Sequence, residues 1–90
     1  LSFKNFDEVV ERANNHELGL ASYICTSSME KAHKASELME TGTIAVNTPV
    51  VAIAEAPFGG IKQSGYGREG GSMAIKDYLN VKYTHLGIKG

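Results

Sequence analysis

Residues 20–47 read LASYICTSSMEKAHKASELMETGTIAVN and contain three predicted elements in succession. The short, apolar and β-prone run at 20–26 predicts a strand that is buried on both faces. The run at 43–47 predicts a second buried strand. Because strands that alternate with helices form parallel sheets, this stretch predicts an α/β fold. Between the two strands, apolar residues occur at the spacing of one face of a helix. They are Met29, Ala32, Ala35, Leu38 and Met39.

Capping signals mark where the predicted helices begin and end. Ser27 and Glu30 match the S-x-x-E capping box, which predicts that the helix within 20–47 begins beside them. Asn5 and Glu8 have the same spacing and predict an earlier helix. Gly42 stands where a glycine commonly follows the end of a helix. The apolar face of the earlier helix comprises Phe6, Val9, Val10 and Ala13.

The outer parts of the chain predict further elements. Residues 1–4 look like the end of a strand, 72–79 predict a short helix with Ser72 as its cap, and 81–88 predict a half-exposed strand. Asn47 is expected to end its strand and to fix the following loop by local hydrogen bonds. Because two or three central strands cannot complete a parallel sheet, we expect a fragment of a longer protein or a subunit of an obligate oligomer.

The composition is that of a globular domain. The 90 residues are 42% hydrophobic and 21% charged, with a net charge of −1. Scattered charges of this kind do not favour a nucleic-acid or anionic-membrane partner. No apolar run approaches the ~20 residues of a membrane span, and the start LSFKNFDE resembles no targeting signal, so a cytoplasmic protein is expected. The single Cys25 excludes an internal disulfide and a cysteine-based metal cluster.

Residues 56–71, APFGGIKQSGYGREGG, hold six of the ten glycines. Gly65, Gly67 and Gly70 spell G-x-G-x-x-G, which by itself is a weak signal for a dinucleotide-binding loop. The residues before Gly65 form a poor strand, and no acidic residue follows at the distance that a ribose contact requires. Bulky and charged residues between the glycines also disfavour a flexible linker. They favour a packed, irregular loop that presents side chains to a site.

The motif PFGGIKQSGYGREG, followed by YLNVKY, resembles the C-terminal signature of the aldehyde dehydrogenase superfamily. Within it, APFGGIKQSGYGREGG and YLNVKYTHLG look most like succinate-semialdehyde dehydrogenases and their near relatives. The resemblance implies that residues 1–80 are the C-terminal part of the catalytic domain, with a Rossmann-like parallel sheet. It also implies that 81–90 form an oligomerisation strand and tail.

The resemblance implies oxidation of an aldehyde to a carboxylic acid with NAD or NADP. In the family, the nucleophilic cysteine, the general base and most cofactor contacts precede this segment, so the segment alone is expected to be inactive. Cys25 matches an ordinary core position of the family, and a buried, inert cysteine is therefore expected.

Three residues carry over from the family as site residues. Ala52 and Phe58 match positions that line the substrate tunnel, and Glu69 matches a glutamate proposed to relay protons beside the general base. Semialdehyde enzymes often have serine at the position of Ala52, where a hydroxyl binds the far carboxylate of the substrate. Structural alternatives remain: Phe58 as a core anchor, and Glu69 as a partner of loop N–H groups or of a basic residue.

A second group of residues matches the family's subunit interface. Arg68 corresponds to an arginine near that interface, although a solvated surface charge is an alternative interpretation. In many members a glutamate at the position of Asn80 pairs with this arginine, so that ion pair is absent here. Val81 and Tyr83 lie on the strand that extends a neighbouring subunit's sheet, which implies a homodimer or homotetramer.

Two other classes of function remain open from the residues. The chain could act as a non-catalytic oligomerisation or interaction module through an unpaired edge strand, or as a free-standing nucleotide binder through its glycine pattern. No metal site is predicted, because the histidines lack ligand spacing. The histidines are His16, His33 and His85.

Overall fold

A parallel strand–helix–strand unit forms the centre of the computed structural model, which describes residues 1–89. The elements in chain order are α1 (Phe6–Asn14), β1 (Leu18–Gly19), β2 (Ala21–Ile24), α2 (Met29–Leu38), β3 (Thr43–Val46), β4 (Ile61–Lys62) and a 3₁₀ helix (Ala74–Tyr78). Strands β2 and β3 are parallel, and β1 and β4 are antiparallel. The predicted strand–helix–strand order is confirmed, and the wider Rossmann-like sheet stays a prediction.

The core between α2 and the parallel pair is small. Ala32 and Ala35 of α2 are buried, and Ala45 of β3 is the least exposed apolar residue. Tyr23 of β2 is 58% exposed, so the prediction that this strand is buried on both faces is wrong within residues 1–89. The physical reason is that two strands and two short helices leave one sheet face uncovered.

Helix α1 begins as predicted. The Asn5 Oδ1 accepts a hydrogen bond from the Glu8 N–H at 2.9 Å, and this satisfies one of the free amides of the first turn. The Glu8 carboxylate accepts from the Lys4 N–H at 3.0 Å, one residue before the position that a capping box uses. The predicted strand at residues 1–4 is not formed, because no other strand lies beside it among the described residues.

Helix α2 begins one residue later than predicted. Ser28, not Ser27, is the cap, and its Oγ accepts from the Lys31 N–H at 3.2 Å. The Glu30 carboxylate contacts Lys34 at 2.9 Å instead of returning to the cap. The hydrogen bond from Lys34 and its charge lower the pKa of Glu30. Since both side chains are mostly exposed, at 60% and 76%, the pair adds little to stability.

Gly42 does not end a helix, because α2 already ends at Leu38 and Met39 is its cap. Gly42 is instead a point of close backbone approach. Its N–H donates to the Gly19 carbonyl at 3.0 Å, and a Cβ on Gly42 would overlap the carbonyl oxygen of Gly59. The glycine is therefore required by the packing of the later loop against the parallel unit.

The long connection after β3 is an ordered loop. Its strand β4 pairs with β1, with Leu18 opposite Lys62 and Gly19 opposite Ile61. A bridge between Phe58 and Glu69 closes the glycine-rich part. These contacts contradict the linker interpretation and confirm that the glycines belong to a packed, irregular loop.

The C-terminal part departs from its predicted elements. A 3₁₀ helix replaces the predicted helix at 72–79, and its N-cap position is Met73 without a side-chain bond, so Ser72 is not the cap. Residues 81–89 are exposed and form no strand within the described chain. Gly90 lies outside the described residues. Within residues 1–89 no helix is long and apolar enough to cross a membrane.

Candidate functional site

The glycine-rich loop brings Phe58 and Glu69 directly opposite each other. The Phe58 N–H donates to the Glu69 carbonyl at 2.7 Å, and the Glu69 N–H donates to the Phe58 carbonyl at the same distance. Phe58 is half-buried and Glu69 is exposed. Two residues that sequence reasoning assigned to different roles thus share one short antiparallel bridge.

Arg68 holds the loop together from inside. Its Nη1 donates to the Gly60 carbonyl at 2.9 Å and to the Gly67 carbonyl at 2.7 Å. The residue is half-buried, so the alternative interpretation as a solvated surface charge is wrong. The guanidinium joins the two limbs of the glycine turn because its donors satisfy carbonyls on both sides. Its predicted place at a subunit interface stays a prediction.

Asp77 is a site residue that sequence reasoning did not find. It lies on the 3₁₀ helix, and its Oδ2 accepts from the Arg68 N–H at 2.6 Å. A carboxylate that accepts from a backbone amide makes a short, charge-assisted bond. No motif in the sequence predicts this contact, because it depends on how the 3₁₀ helix packs beside the glycine-rich loop.

These groups surround a cleft of about 220 Å³. Phe58 and Glu69 line it from the bridge, Arg68 from the turn, and Asp77 and Tyr78 from the 3₁₀ helix. The cleft thus combines an aromatic ring with carboxylates of both the bridge and the helix. Such a set can orient a small polar ligand and accept a proton from water.

The other predicted site residues lie elsewhere. Ala52 is exposed on the loop after β3 and does not line the cleft. Asn80 is exposed, Val81 is 102% exposed and Tyr83 is 84% exposed. Phe58 and Glu69 therefore line one cleft. Ala52, predicted to contact the substrate, and the predicted interface residues after Leu79 do not line it.

The glycines of the G-x-G-x-x-G pattern adopt the positive φ angles that the turns of this loop require. Gly65, Gly67 and Gly70 all have positive φ angles, of 99°, 109° and 70°. The strand before them has two residues, and the next helical residue is Ala74. A dinucleotide loop needs a strand that runs into the glycines and a helix that begins within them. These residues do not fit a pyrophosphate, and the nucleotide-binder interpretation is wrong for this loop.

Lys62 fastens β4 to the ends of both helices. Its Nζ donates to the Asn14 carbonyl at 3.1 Å and to the His16 carbonyl at 3.4 Å, and it lies 2.6 Å from the Glu40 carboxylate. Asn14 in turn donates to the Leu38 carbonyl and accepts from the Glu40 N–H, each at 2.8 Å. This network fixes the β4 segment of the glycine-rich loop against the ends of the two helices.

Asn47 joins the carboxyl ends of the two parallel strands. Its Oδ1 accepts from the Thr26 N–H and its Nδ2 donates to the Thr26 carbonyl, both at 2.9 Å. The prediction that Asn47 fixes the following loop is wrong, since its side chain bonds across to the other strand end. Asn47 has a φ of 56°, a left-handed conformation that asparagine adopts more readily than most residues.

Cys25 follows β2 and is exposed, so the predicted burial is wrong within the described residues. It lines an open, largely apolar groove of about 490 Å³ between α1 and the end of the sheet, beside Phe6 and Tyr23. The cysteine is exposed because α1 does not close against this sheet end. Among residues 1–89, no group of three or more histidine, cysteine or carboxylate side chains has the arrangement of a metal site.

Comparison with known proteins gives one consistent family. The model of the aldehyde dehydrogenase family matches residues 1–84. A 3-sulfolactaldehyde dehydrogenase of Pseudomonas putida is 51% identical over 94% of this chain and 18% of its own length. The NADP(+) succinate-semialdehyde dehydrogenase of Escherichia coli is 41% identical over 96% of this chain and 18% of its own length.

Solved structures agree in fold. The succinate-semialdehyde dehydrogenase of Burkholderia pseudomallei superposes with a TM-score of 0.83 at 40% identity, over 87% of this chain and 16% of its own. The NAD+ complex of an aldehyde dehydrogenase from Bacillus cereus superposes with a TM-score of 0.90 at 43% identity, over 99% of this chain and 18% of its own. The chain thus spans about 18% of the length of the curated relatives it matches.

Proposed function

The chain belongs to the aldehyde dehydrogenase family, and from this membership we propose that it is the C-terminal part of an enzyme that oxidises an aldehyde to a carboxylic acid with NAD or NADP. The nucleophilic cysteine, the general base and most cofactor contacts belong to other segments of that enzyme. This segment contributes one wall of the active site and a surface for assembly.

The observation that carries this proposal is the bridge between Phe58 and Glu69 at the cleft. The aromatic ring of Phe58 offers an apolar wall to the carbon chain of a substrate, and the exposed Glu69 carboxylate is within reach of water. A carboxylate that accepts a proton from water assists the hydrolysis of an acyl intermediate. Glu69 acts as this proton relay, and Phe58 lines the substrate tunnel. Ala52, which lies outside the cleft, lines the tunnel at a different point.

The substrate proposed is a short aldehyde that carries an acidic group at its other end. Names of the relatives support this class, since they include 3-sulfolactaldehyde, succinate-semialdehyde and glutarate-semialdehyde dehydrogenases. Succinate semialdehyde is one member of it. The methyl side chain of Ala52 cannot donate a hydrogen bond to the far acidic group, so a backbone amide or the side chain of another residue must do so.

An assay of the protein that carries this chain tests the proposal. Formation of reduced nicotinamide is measured with carboxylate-bearing, sulfonate-bearing and uncharged aldehydes of equal length, each with NAD and with NADP. We expect turnover with the acidic aldehydes and a clear preference over the uncharged one. Absence of aldehyde-dependent reduction with every substrate would contradict the proposed function.

The role of Glu69 is tested by Glu69→Gln. We expect kcat to fall about 100-fold, with little change in KM, because glutamine keeps the size of the side chain but cannot take a proton. Glu55→Gln is the matched control, since Glu55 is an exposed glutamate earlier in the same loop. Equal kcat in both variants would show that the Glu69 carboxylate does not relay protons.

Assembly as a homodimer or homotetramer through residues 81–88 is proposed as well. Val81 and Tyr83 are exposed, and an extended apolar segment of this kind gains hydrogen bonds and burial when it joins a neighbour's sheet. We expect Tyr83→Asp to shift the whole protein to a smaller species in light scattering, whereas Lys82→Asp, on the adjacent residue, has a weaker effect. Unchanged mass in the Tyr83 variant argues against this interface.

A further inference from the structure

A hydrogen bond between Asp77 and the Arg68 main chain lies immediately beside Glu69. The Asp77 Oδ2 accepts from the backbone N–H of Arg68 at 2.6 Å, across a separation of nine residues. Arg68 is the immediate neighbour of Glu69, so this bond holds the main chain at the point where Glu69 enters its bridge with Phe58. The bond therefore ties the 3₁₀ helix to the bridge.

The side chain of Arg68 completes the same connection. Its guanidinium bonds the carbonyls of Gly60 and Gly67, and Gly60 lies two residues after Phe58. Arg68 therefore makes two connections. Its side chain joins the two limbs of the turn, and its backbone amide joins the turn to the 3₁₀ helix. If Asp77 releases that amide, both partners of the bridge lose a restraint.

We propose that Asp77 is a positioning residue, which holds the Arg68 main chain so that the Glu69 carboxylate keeps its place opposite Phe58 at the cleft. The inference rests on the proposed function, because it assigns Asp77 to the same site. Asp77 contributes as a hydrogen-bond acceptor, since its carboxylate meets an amide and forms no ion pair with the Arg68 guanidinium within residues 1–89. An asparagine, whose amide oxygen is also an acceptor, should therefore replace it.

Two variants of the whole protein test this role. Asp77→Ala removes the acceptor, and Asp77→Asn keeps an acceptor but removes the charge. Glu37→Ala is the control, because Glu37 is an exposed acidic residue of α2, far from the bridge along the chain. Amide hydrogen exchange of peptides within 56–71 measures how often the hydrogen bonds of the Phe58–Glu69 bridge open. Steady-state kinetics with an acidic aldehyde measure the effect of that opening on turnover.

For Asp77→Ala we expect about tenfold faster exchange at the bridge amides and a kcat about tenfold lower with KM changed by less than about twofold. For Glu37→Ala we expect values close to those of the unsubstituted protein. For Asp77→Asn we expect values much closer to the unsubstituted protein than those of Asp77→Ala, because an amide oxygen accepts the same bond, although more weakly than a carboxylate. Recovery by asparagine excludes a role that depends on the negative charge alone, and the exchange of the bridge amides shows whether the effect is at the bridge.

Unchanged exchange in Asp77→Ala would overturn the proposal, as would an asparagine variant that behaves like alanine. If the unsubstituted protein oxidises no aldehyde, the proposed function fails, while the exchange measurement still decides whether Asp77 holds the bridge. Should Asp77→Ala fail to fold, Asp77→Glu takes its place. Its acceptor lies one methylene farther from the backbone, so it should lose the effect that asparagine retains.

Discussion

Replacing Gly42 with alanine is expected to lower the free energy of unfolding by about 3 kcal/mol. The added Cβ would overlap the carbonyl oxygen of Gly59 and would lie 2.8 Å from the Cα of Gly60. Both neighbours are backbone atoms, so neither can rotate away as a side chain would. The loop has to separate from the parallel unit, and the pairing of β1 with β4 is weakened with it.

The matched control is Gly87→Ala, where an added Cβ meets no atom within 4 Å. We expect that variant to change stability by no more than about 0.5 kcal/mol. Chemical denaturation of the whole protein, followed by fluorescence, measures both. Similar midpoints for the two variants would show that the loop does not need close approach at Gly42.

Asn47→Ala is expected to cost about 2 kcal/mol of stability. Alanine loses both side-chain bonds to Thr26 and must adopt a φ of 56°, a left-handed conformation that alanine adopts less readily than asparagine. The loss also frees the carboxyl ends of β2 and β3, from which the loops at 25–28 and 48–58 leave. Catalytic turnover should therefore fall together with stability.

Two further variants separate the causes. Asn47→Gly accommodates the positive φ but makes no side-chain bond, so we expect it to recover about 1 kcal/mol of the loss. Asn47→Asp keeps the acceptor for the Thr26 N–H and loses the donor to its carbonyl. A glycine variant as stable as the unsubstituted protein would mean that the side-chain bonds add nothing to the native state.

The features that sequence reasoning predicted well are local or periodic. Asn5 caps α1 because its side chain reaches an amide only three residues away. The parallel pairing of β2 and β3 follows from the helix between them, since a crossover connection brings the second strand back in the same direction. The family resemblance rested on the glycine motif, and the family model matches residues 1–84.

The features that it missed depend on contacts between distant residues. The S-x-x-E spacing of Ser27 and Glu30 predicted Ser27 as the cap, whereas Ser28 caps the helix and Glu30 pairs with Lys34. The exposure of Cys25 depends on how α1 lies beside the sheet. The contact between Asp77 and Arg68 depends on the return of the 3₁₀ helix to the loop. No spacing rule within one segment predicts such contacts.

Residue order alone settled the two main helices, the parallel direction of the two central strands and the family to which the chain belongs, because each depends on neighbours along the chain or on a motif. It did not settle the outer elements: the strands predicted at 1–4 and 81–88 are not formed, and β1 and β4 were not predicted. Folding decided which backbones touch. Gly42 meets Gly59, Glu69 faces Phe58 and Lys62 joins both helix ends only because the loop after β3 folds back on the parallel unit. Such close approaches are set by three-dimensional packing and by the satisfaction of backbone hydrogen bonds, which no single segment contains.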